Sequence, residues 1–151
     1  MKANELMIGD WVFYTTPKTP TPVKIGKIYV NKEASMSEVN FYGNLGNDCI
    51  SEICFEPIPL TADLLKKNGF DQNGLSEDLV PVEERDYSDD TYVWSEPFTE
   101  YFNVMVSVYI EEGREFVEID YLYGHMDIKC KYVHELQHAL RLCGIEKEIE
   151  L

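Results

Sequence analysis

From Phe102 to Ile110 the chain alternates with a period of two. Phe102, Val104, Val106, Val108 and Ile110 stand between Asn103, Met105, Ser107, Tyr109 and Glu111. Successive side chains of an extended strand point to opposite faces, so this pattern predicts a half-buried strand with one apolar side. Val117, Ile119, Tyr121 and Tyr123 repeat the pattern against Phe116, Glu118, Asp120 and Leu122, and Glu112-Gly113 between the runs can turn the chain. An antiparallel hairpin over 101–123 follows. Such a hairpin needs a cover for its apolar face, because two strands alone are marginal in water.

The cover comes from an amphipathic helix over 131–143. At about 100° per residue, Tyr132, Cys143, Leu136, Leu140 and Val133 fall within roughly 100° of one another. On the same wheel His134 and His138 lie at roughly 200° and 240° from Tyr132, which predicts that both imidazoles face solvent. Gly144 suits the left-handed position after the last turn, with Ile145 folding back on Leu140. No Ser, Thr, Asp or Asn stands directly before Tyr132 to cap the start.

The N-terminal part reads differently. Trp11 to Tyr14, Val23 to Val30, Val39 to Tyr42 and Cys49 to Phe55 are short strand-like runs, separated by the proline-bearing loop Thr15 to Pro22 and the turn cluster Gly43 to Asp48. Val23 and Ile25 are odd-numbered while Ile28 and Val30 are even, so one extra residue at Gly26 keeps both pairs inward, a bulge. Residues 1–58 therefore suggest a small bent antiparallel sheet resembling an SH3-type barrel. Residues 59–151 form the second subdomain, and the fold class is α+β. It opens with a helix over 61–68, with Thr61 as N-cap, Asp63 in the first turn, Lys66 and Lys67 in the last, and Gly69 after it. Asp71 to Asp90 holds eight acidic residues and one Arg, and reads as a solvated acidic loop.

The formal net charge is −15, with 28 acidic residues against 13 basic. Such a surface repels phosphate backbones and anionic membranes, which argues against direct binding of nucleic acid or membrane. No apolar run approaches a membrane span and the start has no signal-peptide core, so a cytoplasmic home is expected. The scattered cysteines Cys49, Cys54, Cys130 and Cys143 are expected to be reduced there.

One string has a known chemistry: His134-Glu135-Leu136-Gln137-His138 matches H-E-x-x-H, in which two histidines on one helix face ligate zinc and the Glu activates water. A third ligand is hard to find. The extended motif would need Gly at Arg141 and His at Gly144, and upstream His125, Asp127 or Cys130 would have to reach the solvent side of the helix. The calcium-loop spacing after Asp71 also fails, because Ser76 and Val82 occupy the positions that need Gly and Glu. There is no P-loop, G-x-G-x-x-G or G-x-S-x-G.

Three blocks carry a resemblance: Leu6-Met7-Ile8-Gly9-Asp10-Trp11-Val12, then Glu56-Pro57-Ile58-Pro59-Leu60-Thr61 running to Asn68-Gly69-Phe70, and Lys131-Tyr132-Val133-His134-Glu135-Leu136-Gln137. Together they are similar to a family of short phage and mobile-element proteins of gut bacteria, one without an assigned activity. That family's last block reads like Tyr-Val-His-Gln-Leu-Gln-Asn, so this chain departs from it at Glu135 and His138, and His134 alone matches. The resemblance and the charge imply a non-enzymatic accessory protein that binds a protein partner, a basic one being the natural choice, with no cofactor. The alternatives are a small zinc hydrolase using His134, His138 and Glu135, and an acidic decoy that imitates DNA.

Overall fold

The computed structural model describes residues 2, 5–31, 36–42, 50–72, 91–99, 102–110, 115–121 and 124–151. The expected turns at Gly43 to Asp48 and Glu112-Gly113, Cys49, most of the acidic stretch (73–90) and Leu122-Tyr123 lie outside them. The architecture is α+β, dominated by two antiparallel sheets. The chain forms two compact units: Met1–Pro59 with Tyr132–His138, and Leu60–Lys131 with Ala139–Leu151.

In the first unit β1 (Trp11–Tyr14), β2 (Thr21–Asn31), β3 (Met36–Phe41), β4 (Ile50–Ser51) and β5 (Phe55–Pro57) form one sheet in the order β4-β3-β2-β1-β5. The end strands β4 and β5 do not pair with each other among the described residues, so the sheet is open where a closed SH3-type barrel was expected. A 3-10 turn at Glu52–Cys54 breaks the single strand expected over Cys49 to Phe55. The bulge at Gly26 is present: the β2–β3 register shifts between Ile25 and Lys27. Ile25 is fully buried and Ile28 packs on the same core, with Leu6, Val12, Val23, Val39 and Phe55. Pro22 enters β2, contrary to the expected loop. It precedes Ile25, where pairing with β3 begins, and a residue lacking N–H is tolerated where one strand edge is empty.

The second unit contains α1 (Ala62–Lys67) and β6 (Asp71–Gln72), β7 (Thr91–Thr99), β8 (Phe102–Tyr109), β9 (Phe116–Tyr121) and β10 (Gly124–Lys129), ordered β10-β9-β8-β7-β6. Thr61 caps α1 through Leu64 N–H at 3.3 Å, and Gly69 (φ 75°) ends it, with Phe70 N–H donating to Leu65 O at 3.0 Å. The expected hairpin is β8–β9, and Val104, Val106, Val108, Val117 and Ile119 are buried as the alternation requires. β10 pairs with β9 over its whole length, from Gly124 opposite Tyr121 to Lys129 opposite Phe116. The tail folds back on this unit: Asn68 exchanges two side-chain hydrogen bonds of 2.8 Å with the Glu150 backbone, and Lys147 lies 4.7 Å over the Trp94 ring.

Helix α2 (Val133–Leu142) is divided between the units after His138. It ends as expected: Gly144 has φ 70° and Ile145 N–H donates to Leu140 O at 2.9 Å. Val133, Leu136, Ala139 and Leu140 are fully buried. No helix among the described residues is long and apolar enough to cross a membrane.

Candidate functional site

The turn before β1 is fixed by backbone bonds to β2, with Gly9 N–H donating to Ile25 O (2.7 Å) and Ile25 N–H to Asp10 O (2.8 Å). Gly9 takes φ 92°, a conformation glycine reaches without strain. The Asp10 carboxylate folds back to accept Met7 N–H at 2.6 Å and is fully buried.

Two residues of α2 clasp this turn. Gln137 accepts Trp11 N–H at 3.1 Å and donates to Gly9 O at 3.3 Å. His138 Nε2 lies 2.8 Å from Asp10 Oδ2, where a carboxylate, an acceptor-only group, receives the N–H. Burial of this face corrects the helical wheel. His134 and Gln137 are only 5% and 4% exposed, and the His138 side chain 20%, so neither imidazole points into bulk water. The wheel failed because a second layer, the turn at Gly9 to Trp11, lies on the side opposite the apolar stripe.

Glu135 supplies the missing cap. Its Oε2 accepts Tyr132 N–H at 3.1 Å, the return half of a capping box, while Val133 N–H donates to Ile58 O at 2.9 Å. The His134 ring stacks on Tyr132 (5.9 Å between centroids, 11° between planes) and meets His138 edge-on at 5.7 Å. His134 Nδ1 is buried with no hydrogen-bond partner among the described residues. Burial pulls this imidazole below its ordinary pKa, against the opposing pull of Glu135 and Asp10. Glu5, Pro57, Tyr132, His134, Glu135 and His138 line a groove of about 470 Å³. Residues from each of the three sequence blocks therefore meet here: Asp10 is bonded to His138, and Pro57, Tyr132, His134 and Glu135 line the groove.

A zincin site requires both histidines to offer a ring nitrogen to one point, a third ligand, and a Glu free to hold water. Here His138 gives its Nε2–H to Asp10, which leaves only Nδ1 to a metal, and Glu135 is engaged in capping the helix. Among the described residues, the one group of three or more ligand-type side chains whose donor atoms lie within 4.8 Å of one another is elsewhere: Glu118, His125 and Asp127, on β9 and β10. In that cluster His125 Nδ1 and Nε2 lie 2.7 and 2.8 Å from Asp120 and Asp127. The hydrogen bond to Asp120 raises the His125 pKa most, beside carboxylates that the strand register sets side by side. Of the third ligands considered upstream, His125 and Asp127 belong to this cluster, and Cys130 is buried.

Comparison with protein-family models, curated proteins and solved structures finds no match for the chain. Sequence reasoning missed Asp10 and Gln137. The only signal for either was membership of a block: Gly9-Asp10-Trp11 in the first, Gln137 at the end of the third.

Proposed function

We propose that the chain is a non-enzymatic interaction protein of the phage and mobile-element kind that its three blocks resemble, acting by binding a basic protein partner. The observation that carries this reading is the employment of the H-E-x-x-H string in holding the fold. Glu135 closes the helix start, and Gln137 and His138 clasp the turn at Gly9 to Trp11. A string so engaged is poorly placed to activate water. The charge of −15 supplies long-range attraction for a basic partner.

Metal content tests the first half of this reading. Protein purified without an affinity tag and dialysed after exposure to zinc should retain far less than one zinc per chain. Stoichiometric zinc, with hydrolysis abolished by Glu135→Gln and metal retained, would establish the hydrolase instead. The second half is read from salt: association with a basic partner should weaken steeply as ionic strength rises, and salt-insensitive binding contradicts it.

A further inference from the structure

We propose that the groove at the start of α2 receives the guanidinium group of an arginine side chain from the protein partner. This rests on the interaction reading above and assigns it a site. Among the described residues the groove is lined by two carboxylates, Glu5 and Glu135, and by no Lys or Arg. Asp10 adds a third carboxylate directly behind His138. Such a cleft concentrates negative potential and favours a cation.

The positive end of α2 does not reverse this preference. Two of its first amides are already bonded, Tyr132 N–H to Glu135 and Val133 N–H to Ile58 O, which leaves fewer donors to an anion. A metal ion is disfavoured because, among the described residues, no three ligand atoms converge in the groove. What remains is an organic cation. The half-buried Tyr132 ring lines the groove beside the carboxylates, parallel to the ring of the buried His134. A planar guanidinium can stack on such a surface while its edge donates to a carboxylate, which a compact ammonium cannot do. His134 backs the Tyr132 ring: it is 5% exposed and its buried Nδ1 has no hydrogen-bond partner among the described residues.

The test is an NMR titration of the intact protein with N-acetyl-arginine methylamide, and with its citrulline and lysine counterparts. Arginine is expected to give saturable shifts concentrated at Tyr132, His134 and His138. Citrulline, which keeps the shape and loses the charge, should bind about tenfold more weakly or worse, with lysine in between. Glu5→Gln combined with Glu135→Gln, which keeps both acceptor oxygens, should weaken the arginine response with the His138 signals of the free protein unchanged. Equal binding of citrulline or lysine, or a double variant that binds arginine as well as the parent, overturns the inference. If the arginine probe shifts signals elsewhere in a salt-sensitive manner and the groove stays silent, the assignment of the site fails and the interaction reading stands.

Discussion

Replacing Asp10 with alanine should be among the most damaging single changes to the first unit. The carboxylate is fully buried, accepts Met7 N–H at 2.6 Å and faces His138 Nε2 at 2.8 Å. Removing it strands two donors away from water, at about 1–3 kcal/mol each, so the loss should total about 2–5 kcal/mol. Asp10→Asn keeps one acceptor and should lose about half as much. Urea unfolding followed by tryptophan fluorescence reads the effect. With a denaturant slope of about 2 kcal/mol per molar, the midpoint for Asp10→Ala should fall by about 1–2.5 M. A double-mutant cycle with His138→Ala isolates the pair, and a coupling of about 1–3 kcal/mol is expected. A change below about 0.5 kcal/mol for Asp10→Ala, the range of ordinary surface substitutions, would refute the clasp.

Glu135→Gln retains an acceptor for Tyr132 N–H and should shift stability by less than about 0.5 kcal/mol, whereas Glu135→Ala should cost about 1 kcal/mol in the same urea assay. Gly69→Ala and Gly144→Ala should each cost about 1 kcal/mol. Both positions have positive φ and open space around an added Cβ, so backbone strain is the whole effect, and Asn should restore part of it. Burial lowers the His134 pKa, so the unfolded chain takes up a proton that the folded chain refuses. Stability should therefore fall as pH drops below the ordinary value of 6.5, and His134→Asn should flatten that limb. His125 has the opposite sign, contributing stability below 6.5 that is lost as pH rises through its raised pKa, so both curves are best measured in a His125→Gln background.

Elements whose own residues carry the pattern were legible in the sequence. Thr61 and Gly69 bound α1, Gly144 ends α2, Gly26 makes the bulge, and the β8–β9 alternation is buried as expected. β10 escaped because its alternation is short and shallow: Met126 and Ile128 are only half-buried between exposed His125, Asp127 and Lys129, and its pairing with β9 defines it. β7 escaped for two reasons: Thr91, Tyr92 and Val93 are buried in succession, which destroys the period of two, and Pro97 sits at a register shift. The orientation of His134 and His138 was misread because a helical wheel assumes a single apolar contact face. The polar face of α2 is covered by hydrogen-bonding partners more than a hundred residues away, at Gly9 to Trp11, and no local periodicity encodes such a contact.

The clasp is tested most directly by a long-range ¹H–¹⁵N spectrum of the imidazoles at neutral pH, with and without one equivalent of zinc. His138 is expected to carry its proton on Nε2, donated to Asp10, His134 to be neutral, and neither spectrum to change when zinc is added. Metal-bound shifts on both rings, through whichever nitrogen, would contradict the account.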